Sequence, residues 1–238
     1  MKSEKQHDII VLIYHKGGEQ YMPEKREIKR KRMFLYFIEA TREIIDEEGY
    51  EAVTLRKVAD LAGYNSATVY SYFEDLEQLI LYASLKCLKD YNYSAGQIFR
   101  SEIGERQKLL EMWRVFCDYS FQNPKPFAYI FSGKHKDNVG MIASQYYDLY
   151  PEDVGSDTQE ISLLVKNLKL EERNDMILRR IETEEGIQLE NRNILNDMMV
   201  FIYRGLLDQC LHKELDISPA EYTSKMMEYL DYLLSHTN

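Results

Sequence analysis

Apolar residues recur at intervals of three and four along nearly all of this chain, and nowhere do they alternate with polar ones long enough to make a strand. Spacing of that kind puts apolar side chains on one stripe of a helix, whereas a half-buried strand needs a period of two. The pattern therefore predicts an all-α protein. The low counts of Gly and Pro, 11 and 5 in 238 residues, agree, because an all-β fold would need many more turns. Helices are expected over about 24–48, 76–101, 105–122, 125–132, 157–183, 188–213 and 219–235, with two short ones between the first two. Residues 133–155 read as the longest loop-like stretch. The last helix announces itself: Ser218 can cap it, Pro219 suits its first position and Glu221 its third.

The short pair carries the most information. Thr54 stands as an N-cap before Leu55, Val58, Ala59 and Ala62, which share one face. Gly63 supplies a tight turn, since a residue without Cβ takes positive φ cheaply. Asn65 can cap a third helix over 66–73, with Val69 and Phe73 turned inward. Asp75 and Gln78 suggest a capping box for the helix that begins near Leu76. Two short helices joined at a glycine, behind a longer first helix, make a helix-turn-helix. Ser66, Thr68, Tyr70, Ser71 and Tyr72 leave the third helix neutral and rich in hydroxyls, where a solvated face would carry Glu and Lys.

Charge has a direction along the chain. Six basic residues lie between Lys25 and Arg32 with Glu27 as the single acid, while from residue 81 onward acids outnumber bases by 25 to 18. The total of −10 argues against a general polyanion binder, but a basic start before an acidic body suits a protein that meets phosphate at one end. Lys29, Lys31 and Arg32 are the candidates for that contact. Three widely spaced cysteines give neither a disulfide framework nor a zinc knuckle and fit a reducing cytoplasm. No apolar run approaches a membrane span.

The string from Thr54 to Tyr64, the string from Asn65 to Phe73 and the following Glu77-Gln78-Leu79-Ile80 together resemble the TetR family of transcriptional regulators. The likeness is specific over roughly residues 30–80 and topological beyond. It implies an N-terminal DNA-binding domain over 24–75 and a helical ligand-binding and dimerisation domain over 76–238. It also implies that Thr54, Arg56 and Tyr72 meet phosphate, that Tyr70 reaches DNA, and that Asn65, Ser66, Ala67 and Thr68 face base edges. Two departures from the family pattern stand out. Glu74 and Asp75 follow Phe73 where a basic residue is usual, and the third helix has no Arg or Lys to pair with guanine. Base reading through hydroxyls and thymine methyls, with some indirect readout, is the expectation.

The resemblance further implies a repressor that binds a palindromic double-stranded operator as a homodimer and is released by a small-molecule effector. Ligand entry would shift the helix starting near Leu76 and spoil the spacing of about 34–36 Å between recognition helices. Trp113, Phe116, Tyr119, Phe127, Tyr129, Phe131, Tyr146 and Tyr147 concentrate aromatic surface in the middle helices and are the candidate ligand contacts, pointing to an apolar or aromatic effector. The last two helices are apolar on more than one side, which predicts burial against a second subunit as well as the core; Met198, Ile202, Leu206, Met226, Leu230 and Leu233 are the candidate dimer contacts.

No enzyme is expected, for the chain has no nucleophile elbow, metalloprotease helix, phosphate loop or dinucleotide fingerprint. Neither a cofactor nor a metal is expected: Asp208 and His212, one helical turn apart, read as a surface pair, and His135 reads as a solvated loop residue. A protein of the same fold that acts through protein partners, without operator binding, is the alternative that Glu74 and Asp75 keep open. Residues 1–23 read as an extension, either a flexible arm or a translated leader. Lys16-Gly17-Gly18-Glu19 can be encoded by a ribosome-binding sequence, with Met22 just downstream.

Overall fold

The computed structural model describes residues 21–154, 169–186 and 189–236. The proposed leader and the first part of the helix expected over 157–183 lie largely outside them. By contacts the chain forms two compact units, residues 1–36 and 37–238. Among the described residues the structure is helical and has no strand. It opens with α1 (Tyr21–Glu48), α2 (Leu55–Ala62) and α3 (Ser66–Tyr70), which carry the helix-turn-helix. The larger helical part follows, with α4 (Leu76–Ser84), α5 (Lys89–Arg100), α6 (Glu105–Gln122), α7 (Pro124–Phe131), α8 (Val139–Leu149), α9 (Leu170–Glu185), α10 (Arg192–His212) and α11 (Pro219–Ser235).

Glycine ends α1 and α2 as the sequence predicts, Gly49 at φ 88° and Gly63 at φ 77°. A residue with a Cβ would be strained at either. Thr54 accepts from the Lys57 amide at 3.2 Å and Asn65 from the Thr68 amide at 2.9 Å, so both expected caps form. The Ser218–Glu221 capping box is complete as well. The box at Asp75 is not reciprocal: Asp75 accepts from the Gln78 amide, but Gln78 accepts from the amide of Glu74.

Three expected elements differ. The third helix ends at Tyr70 rather than Phe73, because Ser71 turns its hydroxyl back onto the Thr68 carbonyl and the chain tightens into a turn. The helix expected over 76–101 is broken by a 3₁₀ segment at Leu85–Leu88. The loop expected over 133–155 contains α8, whose Val139, Ile142, Ala143, Tyr146 and Tyr147 are all buried. Their spacing is helical, and Gly140 beside Val139 disguised the start.

α6 is the axis of the larger part. It packs on α5, α7, α9, α10 and α11, burying Leu109, Met112, Trp113, Phe116, Cys117 and Phe121. Its first turn is pinned electrostatically: Glu105, almost fully buried, accepts from Lys108 and Arg180, each at 2.8 Å. Burial opposes ionisation there, yet the two cations outweigh it and hold the carboxyl below its usual range. Farther along, Ser120 and Tyr203 of α10 share a hydrogen bond of 2.7 Å between buried hydroxyls, satisfying two groups whose isolation would be costly.

Candidate functional site

The helix-turn-helix is built around Phe37. Its ring meets Tyr64 at 5.8 Å, Tyr72 at 5.5 Å and Phe73 at 6.2 Å between centroids, and it is fully buried. That packing fixes α3 and its flanks from behind and leaves the other side open. Asn65, Ala67 and Tyr70 are exposed and Ser66 and Thr68 half-buried; Tyr70 keeps 58% of its surface free. Thr68 also donates its hydroxyl to Asn65 Oδ1 at 3.1 Å, so the cap and the outward face share an atom. Thr54 and Arg56 are exposed at the start of α2, with Arg56 only loosely engaged by Asp60 at 3.7 Å. Tyr72 is half-buried and contributes as much to packing as to the surface. Within the first unit, Lys29, Lys31 and Arg32 are exposed, and Lys31 lies 3.5 Å from Glu27.

Sequence reasoning passed over Tyr64, which is 42% exposed at the head of the turn, and, although it gave Asp75 a capping role, counted Glu74 and Asp75 together as acids that repel phosphate. The structure separates these two. Glu74 is exposed, whereas Asp75 caps α4 and pairs with Lys134 at 2.6 Å and His135 at 2.9 Å. Its charge is therefore largely answered from within the protein. His135 is correspondingly buried rather than solvated, at 5% exposure.

Further contacts join this head to the larger part. Lys125 of α7 pairs with Glu51, and Tyr129 stacks on Tyr50 at 5.6 Å and 17°. Arg42 of α1 is buried and donates to Tyr146 of α8 at 2.6 Å and to Glu39 at 2.7 Å. Tyr146 in turn donates to Asp153 at 2.5 Å. Burial raises the Tyr146 pKa far above the ordinary phenol range, keeping it neutral.

The aromatic residues expected to bind ligand thus divide. Tyr129 and Tyr146 serve these joints, while Tyr147 holds α8 to α5 within the larger part by accepting from Asn92 at 3.0 Å. Phe116 lies at the centre of the rest, with rings of Trp113, Phe127, Phe131 and Tyr203 within 6 Å; Tyr119 is half-buried beside Tyr91. Trp113 and Phe116 line a cavity of about 30 Å³ together with Tyr91, Met112, Leu170, Arg173, Asn174 and Ile177. That is room for a water or two. A second hollow of about 250 Å³ is lined by Phe131, Lys136, Lys169, Leu170, Glu171 and Arg204 among others, so Leu170 borders both. Sequence reasoning missed Arg173 and Asn174. The signal was a polar pair flanked by Leu170 and Ile177 on what is otherwise the apolar face of α9.

The expected dimer contacts need correction. Met226 and Leu230 are fully buried, and Leu206 and Leu233 nearly so, because α11 packs along α6 and α10 within the same chain. Ile202 is half-buried and Met198 is 43% exposed. The exposed apolar stripe is instead Ile194, Met198 and Phe201 on α10, continued by Gly205, with Tyr229 and Tyr232 on α11. At the end of α10, Asp208, His212 and Glu214 gather ligand-type atoms within 4.8 Å, all of them exposed. His212 Nδ1 sits 3.2 Å from the Asp208 carboxylate, the surface pair expected from their spacing. Among the described residues no helix is long and apolar enough to cross a membrane.

Comparison with known proteins places these observations. Residues 37–83 match the family described as bacterial regulatory proteins, tetR family. No curated protein matches the chain. The fold is similar to that of FadR from Thermus thermophilus, a TetR-family transcriptional repressor solved with lauroyl-CoA. The two are 13% identical, covering 84% of this chain and 92% of that one, with a TM-score of 0.54. It is similar also to RolR in complex with resorcinol, at 12% identity, 84% and 88% coverage and a TM-score of 0.55. Residues 37–83 are thus similar to the tetR family, and the fold of the chain is similar to that of solved TetR-family regulators.

Proposed function

We propose that this protein is a ligand-responsive transcriptional regulator that binds a two-fold DNA operator as a homodimer and lets go when a small effector enters its helical core. One observation carries the reading. In an acidic protein, α3 is capped and backed by the Phe37 cluster, yet turns outward a face with no charged side chain, led by Ala67 and Tyr70. A helix held rigidly from behind, with small and hydroxyl-bearing groups in front, is suited to lie in a major groove.

On this reading Asn65, Ser66, Ala67 and Thr68 approach base edges, with Tyr70 beside them. Thr54, Arg56 and Tyr72 meet phosphate, as do Lys29, Lys31 and Arg32 at the start of α1. The dimer forms through the stripe of Ile194, Met198 and Phe201 with Tyr229 and Tyr232, a second copy being the occupant. Their 39–66% exposure is hard to reconcile with a lone protomer. Gly205 lies in the same stripe, where nothing would obstruct a close helix approach.

Release follows from the joints described above. The ring of Phe116 borders the inner cavity and touches Phe127 and Phe131 of α7. α7 reaches the head through Lys125 and Tyr129, and the residues just after it, Lys134 and His135, hold the cap of α4. An effector that moves Phe116 displaces these contacts together. Coupling of about 1–3 kcal/mol suffices to loosen an operator complex. The solved neighbours hold ligands as unlike as lauroyl-CoA and resorcinol, so the effector here must be read from this chain's own cavity.

The test is nuclease protection of the DNA flanking the gene, repeated across salt. A protected two-fold site whose affinity falls steeply with salt is expected. Failure to protect any site there, followed by failure to enrich any sequence from random DNA, would overturn operator binding and favour a protein partner.

A further inference from the structure

The smaller cavity is mostly apolar, with Tyr91, Asn174 and one charged residue among its lining. Arg173 of α9 is 7% exposed, and its guanidinium donates through Nη2 to the hydroxyl of Tyr91, whose ring it also faces at 5.3 Å. Its Nη1 is buried and has no hydrogen-bond partner. Among the described residues no carboxylate lies within ion-pair distance of it. Asp153, which shares the neighbourhood of Tyr147 with Arg173, is already engaged by Tyr146 at 2.5 Å and Lys89 at 3.1 Å. A buried guanidinium without a counter-ion is an expensive arrangement, and proteins normally pair such charges or remove them. Nearby polar groups are satisfied with care: Trp113 donates to Asn174 at 2.8 Å and Asn174 to Asn196 at 3.0 Å. Asn92 Oδ1 and Tyr222 Oη are also buried without a partner, but among these three atoms only Arg173 Nη1 belongs to a charged group.

We infer that the effector, on the ligand-core reading above, is a carboxylate: its acid group accepts from Arg173 Nη1, and its apolar or aryl body lies against Trp113, Phe116 and Met112. The choice of an anion over a neutral acceptor comes from the missing counter-charge, and of a carboxylate over a larger oxyanion from the single free donor in a narrow space. A cavity of about 30 Å³ lies far below the roughly 300 Å³ at which ligand pockets begin. Leu170 borders both this cavity and the hollow of about 250 Å³, and on this proposal its side chain moves aside to join the two spaces. Opening has a cost, which lowers the apparent affinity. Answering the charge of Arg173 offsets it.

Trp113 is the chain's single tryptophan and lines the cavity, so its fluorescence reports occupancy without DNA. The full-length protein is titrated with octanoate and 4-phenylbutyrate, and in parallel with octanamide and 4-phenylbutyramide, which match them in shape but carry no charge. The acids are expected to change Trp113 emission and raise the melting temperature, and the amides to bind about 30-fold more weakly or worse. R173M removes the acid preference while raising the melting temperature of the free protein, because it deletes an uncompensated buried charge. R173K keeps the preference at reduced affinity. Should R173M not fold, R173Q takes its place with the same expected loss of preference. Amides binding as well as acids, acids binding R173M unchanged, or no response from Trp113 to any probe would each overturn the proposal. Equal binding of acids and amides would still leave the ligand core standing, and operator binding, measured without ligand, is judged separately.

Discussion

Asp75 Oδ1 and His135 Nε2 lie 2.9 Å apart, joining the residue that caps α4 to the segment that follows α7. Lys134 completes the clamp from the same side at 2.6 Å. Burial works against the Asp75 charge, but the hydrogen bonds from Lys134, the Gln78 amide and His135 prevail and hold its carboxyl at about 2. The folded value is thus below the unfolded value of about 3.9. Stability from this group is fully present above pH 4 and is lost as pH falls through 2.

Asp75→Ala removes the cap and the clamp together and is expected to lower stability by about 1–3 kcal/mol at neutral pH. Asp75→Asn keeps an acceptor for the Gln78 amide but not the charge. It should cost less and should flatten the stability profile between about pH 2 and 4. Urea denaturation across that range checks both; a profile unchanged in Asp75→Asn would mean the clamp contributes nothing.

Phe116→Ala empties the centre of the aromatic cluster. A loss of about 3–5 kcal/mol is expected, with a red shift of Trp113 emission as water gains access to the cavity. Calorimetry and fluorescence read the two effects. A stable variant with unshifted emission would place the centre of the core elsewhere.

Phe201→Glu puts a charge on the exposed stripe of α10 and should yield a folded monomer in sedimentation analysis. Met226→Ala, by contrast, should destabilise the protein by about 2–5 kcal/mol and leave its association state unchanged. A dimer that survives Phe201→Glu would move the interface off this face.

Two substitutions on the DNA face should part company. Arg56→Ala is expected to weaken binding evenly across sequences and to lower the salt slope by about one. Thr68→Ser keeps the hydroxyl that bonds Asn65 and loses only the methyl. It should relax preference at one thymine position and leave the salt slope unchanged. Binding isotherms on operator and mutated operator across salt distinguish them.

Much of this molecule is legible in its sequence. The caps at Thr54, Asn65 and Ser218, the glycine turns at Gly49 and Gly63 and the helical class are local properties, because each depends on residues within a turn or two of chain. The apolar spacing of α8 is also local, but Gly140 in its first turn and Gly133 just before it are residues that equally mark turns, so the sequence is ambiguous there. The tertiary structure decided what periodicity cannot address. A broad apolar helix such as α11 can be covered by its own chain or by another, and only packing against α6 showed that Met226 and Leu230 are covered within the protomer. Charge counts gave Asp75 and Glu74 the same weight, while the fold brought Lys134 and His135 into hydrogen bonds with Asp75 and left Glu74 with only the longer approach of His135 at 3.8 Å. Likewise the sequence could list aromatic residues, but not which would border a cavity, nor that Arg173 would be buried there with a donor to spare. Those are consequences of distant segments meeting, and burial of a charge acquires meaning only once its neighbours are known.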